Sequence, residues 1–96
     1  MAAYVIVHLE VRSTTWLAEY GPKTAALIEK HSGKYLVRGG TMVGLEGDGA
    51  PPSSFVVLKF PSMEHAEAWY NDPAYAAMIK LRPSGSTAEI VLVEGL

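Results

Sequence analysis

The sequence predicts an α+β fold, one antiparallel sheet of four strands with helices packed on a single face. Three observations predict it. Four short runs rich in β-branched residues, Tyr4–Glu10, Lys34–Glu46, Phe55–Phe60 and Ala88–Glu94, carry apolar side chains on both strand faces. Between the first and second runs, and again between the third and fourth, apolar positions recur at helical three- and four-residue steps. Between the second and third runs only turn formers intervene, Gly47-Asp48-Gly49-Ala50-Pro51-Pro52-Ser53-Ser54, which joins those strands directly as antiparallel neighbours.

The elements follow in order. Tyr4–Glu10 reads as a central strand, covered on both sides. Ser13, Thr14 and Thr15 offer hydroxyl caps to a helix whose buried stripe is Leu17, Tyr20, Leu27, Ile28 and His31. Gly21-Pro22 lies inside that helix and predicts a kink, or a short first segment with a restart near Lys23, because proline removes a donor and crowds the preceding turn. Gly33 is the expected left-handed stop. Lys34–Glu46 then has two competing geometries: a tight hairpin on Gly39-Gly40, or one long strand bent there by a bulge. The turn formers after Glu46 favour the bent strand. Phe55–Phe60 follows, with Lys59 either an edge charge or an ammonium paired with Glu10 or Glu94. Ser62 is a good N-cap, with Glu64 in the first turn and Ala66, Trp69 and Tyr70 on the buried side. Asp72-Pro73 breaks this second helix, as an N-cap followed by proline at the first helical position, and Tyr75, Met78, Ile79 and Arg82 share a face up to Pro83. Ala88–Glu94 is the last strand. The order β-α-β-β-α-β defines a ferredoxin-like sandwich.

Ninety-six residues leave room for one domain and one core. Hydrophobic residues make up 49% of the chain, more than such a small core hides, and helices can cover only one sheet face. The bare face is expected to meet a second copy across a two-fold axis, giving a homodimer. A net charge of -2 without a basic cluster excludes the electrostatic footprint of a nucleic-acid binder. No run approaches the ~18 apolar residues of a membrane span, and no signal-peptide pattern opens the chain, so the expected compartment is the cytoplasm. Cysteine is absent, which removes disulfides, thiolate nucleophiles and thiolate metal ligands. His8, His31 and His65 lack metal-ligand spacing, and no phosphate-cradling glycine loop or nucleophile elbow occurs; no metal and no cofactor are expected.

The candidate chemistry is sparse. Arg38 and Glu46 flank the glycine pair: either an anion anchor and a general acid/base lining one cavity, or a salt bridge that pins the bend. His8 stands mid-strand, as a second candidate base or as a satisfied core or interface histidine. Trp69, Tyr70 and Tyr75 cluster around the helix break, with Tyr20 and Tyr35 in reach; they are core rings, or the walls of a cleft whose phenols bind a polar group. Arg82 shares the face of Tyr75 and either enters that cleft or points outward. The candidate ligand-binding set is therefore Arg38, Tyr35, Tyr70, Tyr75, Arg82 and Trp69, with Glu46 and His8 as candidate catalytic groups.

The blocks Gly33-Lys34-Tyr35-Leu36-Val37-Arg38-Gly39-Gly40, Leu45-Glu46-Gly47, Phe60-Pro61-Ser62 with Ala66, Ala68, Trp69 and Tyr70, then Pro73-Ala74-Tyr75, Arg82 and Val93-Glu94-Gly95 resemble the DUF1330 family of small bacterial proteins nearly end to end. The resemblance implies a dimeric α/β barrel and a family of uncharacterised activity. This chain has Ser53-Ser54 where such sequences often carry an arginine after the loop proline, and Lys59 where they often carry glutamate. The wider group of dimeric α/β barrels includes cofactor-free monooxygenases, lactone isomerases and haem-degrading enzymes, a likeness of fold that does not fix chemistry. Three functions follow as expectations: a homodimer binding a small anionic or carbonyl-bearing metabolite between sheet and helices, a cofactor-independent enzyme using Glu46 or His8 as base with Arg38, or a dimerisation module without catalysis.

Overall fold

The computed structural model describes residues 1–49 and 52–96; Ala50 and Pro51 of the expected turn lie outside the described residues. Four strands, β1 (Ala3–Val11), β2 (Lys34–Arg38), β3 (Ser54–Phe60) and β4 (Ser86–Glu94), form one sheet in the order β2-β3-β1-β4. All three pairings are antiparallel. Helices α1 (Leu17–Lys30), α2 (Met63–Tyr70) and α3 (Pro73–Ile79) cover one face, and a 3-10 turn at Arg82–Ser84 leads into β4. This is the ferredoxin-like α+β sandwich, with the second helix broken at Asp72-Pro73.

Alternation along β1 sorts the two sheet faces. Ala3, Val5 and Val7 are buried under the helices, while Tyr4 and Ile6 are half-buried and His8 is exposed on the other face. Register continues the sorting: Val5 stands beside Leu58 and Leu92, and Ile6 beside Val57 and Val91. The core is closed by Trp69, Tyr75, Phe60 and Ile28, the largest fully buried side chains.

Three local expectations are corrected. α1 runs unbroken from Leu17 to Lys30 through Pro22. Proline there removes only the bond to the Ala18 carbonyl, early in the helix, and the buried residues Gly21, Thr24 and Ile28 lie on either side of it. No side-chain hydroxyl caps α1: Ser13 and Thr15 bond each other, and the Leu17 amide donates to the Thr14 carbonyl at 3.1 Å. The left-handed stop is Ser32 (φ 66°), not Gly33. The Ser32 amide donates to the Glu29 carbonyl at 3.0 Å and the Gly33 amide to the Ile28 carbonyl at 2.8 Å, the paired bonds of a Schellman motif. Glycine at 33 serves a different need, since a Cβ there would stand 2.5 Å from the Phe60 ring.

The largest correction concerns Lys34–Glu46. It is neither a tight hairpin nor a long bent strand. β2 ends at Arg38 because Gly39 and Gly40 both take positive φ (73° and 102°), which swings the chain off β3 after a last bond from the Gly39 amide to the Phe55 carbonyl. A bulge exists, but earlier: β3 residues Leu58 and Val57 face Tyr35 and Val37, and Leu36 is the extra residue. Lys59 faces Lys34 across the strands, and no ion pair joins it to Glu10 or Glu94 among the described residues.

Candidate functional site

The bulge decides where Arg38 points. On a regular strand Tyr35 and Arg38, three residues apart, would lie on opposite faces. The extra residue restores the parity, so Tyr35 pairs with Leu58 and Arg38 with Val56, both on the helix side. The Arg38 guanidinium sits 4.6 Å above the Tyr35 ring, a cation–π contact, and a Cβ on Gly21 of α1 would be only 3.6 Å from its Nη2. Leu36 and Val37 both turn outward and are exposed.

The helix break decides where Trp69 and Tyr75 point. Six residues apart on an unbroken helix, they would point about 120° away from each other. Asp72 restarts the chain instead: its carboxylate accepts the Ala74 amide at 2.9 Å, and Pro73 supplies the first helical position. Both rings then enter the core with centroids 4.5 Å apart. The Tyr75 hydroxyl meets that of Tyr20, from α1, at 2.6 Å.

Arg82 is aimed inward by its own backbone. The Ser86 hydroxyl donates to the Arg82 carbonyl at 2.7 Å, and Arg12 donates to the Ser86 carbonyl at 3.1 Å and to Pro83 at 3.3 Å, pinning the turn before β4. Its side chain is buried at 7% exposure, a rare position for a guanidinium.

These devices converge on one cavity between sheet and helices, with about 60 Å³ of room for a water-sized body. Its floor is apolar: Val7, Leu9, Val56, Leu58 and Ile90. Its polar wall is Tyr20, Thr24, Tyr35, Trp69, Tyr75 and Arg82. Three of those residues carry a buried polar atom with no hydrogen-bond partner among the described residues: Thr24 Oγ1, Trp69 Nε1 and Arg82 Nε. An unmet buried polar atom costs about 1–3 kcal/mol, and native proteins keep few of them. Burial, and then the neighbouring Tyr20, push the Tyr75 phenol well above the usual tyrosine range. Burial also raises the Tyr35 phenol, against the lowering influence of Arg38. Both phenols are therefore neutral hydrogen-bonding groups near neutral pH.

The cavity brings together four of the six candidate ligand-binding residues, Tyr35, Trp69, Tyr75 and Arg82, with Tyr20 beside them. Arg38 stands outside it, exposed beside an open cleft on the α1–β2 side. Tyr70 is 43% exposed and borders two outer clefts. Glu46 is exposed in the chain after β2, with no ion pair to Arg38 among the described residues, and His8 stacks on Phe55 on the opposite sheet face, 4.9 Å between centroids. Sequence reasoning missed Thr24, whose signal was its position four residues after Tyr20 and four before Ile28. Among the described residues no group of three or more metal-binding side chains occurs, and no helix is long and apolar enough to cross a membrane.

Strand order, antiparallel pairing and helices on one face define a ferredoxin-like α+β protein, with a largely apolar cavity between its layers. The family model described as a domain of unknown function (DUF1330) matches residues 2–96, and the chain belongs to that family. Among solved structures it is similar to the RPA0582 protein of unknown function from Rhodopseudomonas palustris, at 17% identity and TM-score 0.81, covering 99% of this chain and 82% of that one. It is also similar to SnoaB, a cofactor-independent oxygenase from Streptomyces nogalater, at 12% identity and TM-score 0.63, covering 99% and 93%. A third similar structure is a dimeric protein of unknown function and ferredoxin-like fold from Bacteroides fragilis, at 16% identity and TM-score 0.56, covering 98% and 96%. No curated protein matches the chain.

Proposed function

We propose that the protein is a homodimer that binds a small anionic or carbonyl-bearing metabolite in the cavity between sheet and helices. The observation that carries this reading is an apolar-floored cavity three of whose lining residues, Thr24, Trp69 and Arg82, each hold a buried polar atom without a partner among the described residues. An acceptor oxygen held in the cavity, from a ligand or an ordered water, meets such atoms where they face it. Trp69 Nε1 and Arg82 Nε can only donate, so the complement is an acceptor. The cationic Arg82 selects negative or strongly polarised oxygen. Tyr35, with Arg38 stacked on it, closes the β2 side of the same cavity.

Proton transfer or oxygenation with Glu46 or His8 as base draws less support from the geometry, because neither residue lines the cavity. Fold likeness to an oxygenase does not supply the missing base. A dimerisation module without a ligand leaves the unmet atoms without a role.

The test is a thermal-shift screen of small carboxylates and carbonyl compounds on the wild type and Thr24→Val, an isosteric change that deletes one wall hydroxyl. At least one compound is expected to raise the melting temperature of the wild type, with a smaller rise in the variant. Equal shifts in both proteins would remove Thr24 from the site, and no shift with any compound would overturn the binding reading.

A further inference from the structure

We infer that the ligand is a monocarboxylate with an apolar tail, its head against Arg82 inside the cavity and its tail passing Trp69 and Ile90 into the outer cleft beside α2. The inference rests on the cavity being a binding site and goes on to name the ligand class.

Charge comes first. Arg82 is largely buried between this cavity and the open cleft bordered by Tyr70, Pro83 and Ser86, its Nε has no partner, and no ion pair joins it to an acid among the described residues. A largely buried cation is stabilised by a counter-charge brought to it out of water. No acidic side chain lines the cavity, and its hydroxyls and indole offer donors rather than a balancing charge. A ligand carboxylate supplies both the charge and the acceptor oxygens, and a guanidinium–carboxylate bond is about twice as strong as a neutral one.

Size comes second. About 60 Å³ admits roughly four water-sized bodies, enough for a carboxylate and a carbon or two. Small-molecule sites usually measure ~300–1,000 Å³, so the cavity alone is too small for a metabolite of ordinary size. Trp69 and Ile90 border both this cavity and a cleft of about 270 Å³ whose inner surface includes Val5, Ala66 and Leu92. Cavity and cleft together reach the lower end of the usual range. The cleft is predominantly apolar, which suits a hydrocarbon tail. Its charged rim residue is Glu67, which would repel a second carboxylate and so favours a monoacid over a diacid.

Calorimetric titration with acetate, hexanoate, hexanamide and adipate tests each part. The wild type is expected to bind hexanoate at least ten-fold tighter than acetate, hexanamide or adipate. Arg82→Met, of similar length and without charge, is expected to weaken hexanoate at least ten-fold while melting at a higher temperature than the free wild type, because the unpaired cation is gone. Arg82→Lys is expected to recover part of the binding. Ile90→Trp, which adds bulk on the side chain that borders both cavity and cleft, is expected to weaken hexanoate more than acetate. If hexanamide bound as tightly as hexanoate, the anion assignment would fall while the cavity remained a binding site. Equal affinities for acetate and hexanoate would overturn the tail route alone. If none of the four bound the wild type, the monocarboxylate inference would fall, and binding of a neutral carbonyl compound in the thermal-shift screen would then keep the wider reading alive. The comparisons within the wild type do not depend on any variant folding.

Discussion

Asp72 is the residue where one side chain serves most elements. Its Oδ1 caps α3 through the Ala74 amide, and its Oδ2 lies 2.8 Å from His31 Nε2 and 3.1 Å from Lys30 Nζ at the end of α1. The His31 bond first, then the Ala74 amide and Lys30, hold its carboxyl below the usual carboxylate range. A carboxyl whose pKa is lower in the folded state stabilises the fold above its unfolded value of about 4, and the contribution is lost as pH falls below that. Asn keeps the cap but not the charge. Denaturant unfolding of the wild type and Asp72→Asn is therefore expected to show the wild type more stable at neutral pH, with the difference shrinking from pH ~4 downwards. A difference independent of pH would mean that the carboxylate charge adds nothing to the α1–α3 contact. Because Tyr20 and Tyr75 bond across the same two helices, weakening this clasp also loosens a wall of the cavity.

At the scale of elements, what was legible in the sequence depended on whether a signal was local. Ser62 and Asp72-Pro73 start α2 and α3 as read, because an N-cap is decided within one turn of chain. The bulge at Leu36 was not legible. It depends on which β3 residues face β2, and Gly39-Gly40 drew attention to the wrong bend. The cavity was legible as a cluster of aromatic residues and Arg82, but Thr24 was hidden by its residue type, and the distance of His8 and Glu46 from it depends on sheet face and strand end. The junction of α1 and β2 tests the same distinction. The sequence predicts a conformational stop at Gly33, yet that residue answers to a distant ring, Phe60, while Ser32 bears the positive φ. Gly33→Ala is expected to destabilise by about 1–3 kcal/mol through overpacking against Phe60. Ser32→Gly is expected to stabilise by about 0.5–1 kcal/mol by relieving the left-handed serine. Equilibrium denaturation measures both, and a reversed order of the two effects would return the stop to Gly33.

At the scale of the molecule, the arrangement is a slab 17 Å thin against 36 and 35 Å in the other directions, a sheet with helices on one side only. The other side exposes Val37, Val91 and Val93 and half-buries Ile6, Phe55 and Val57. Strands of nine, five, seven and nine residues, about 4.8 Å apart, present roughly 480 Å² of sheet, the same order as the ~800 Å² per partner of a stable interface. The charges on this face are segregated along the strands. Lys34 and Lys59 lie at one end of this face, and His8, Glu10 and Glu89 share it toward the other. A two-fold axis across the strands would set the lysine end of one copy on the glutamate end of its partner. Ile6 stands between Val57 and Val91 at the centre, so Ile6→Glu would bury two carboxylates in the middle of such an interface. Sedimentation is expected to show a dimer for the wild type, and dissociation at least a hundred-fold easier for Ile6→Glu, or ~2.7 kcal/mol. Lys59→Glu is expected to weaken the dimer and Lys59→Glu with Glu89→Lys to restore it, a recovery that hydrophobic contact alone does not predict. A wild-type monomer at micromolar concentration would leave the apolar face to some other partner and remove the homodimer from the proposed function, while the cavity, enclosed by the other face of the sheet, would still be open to its own test.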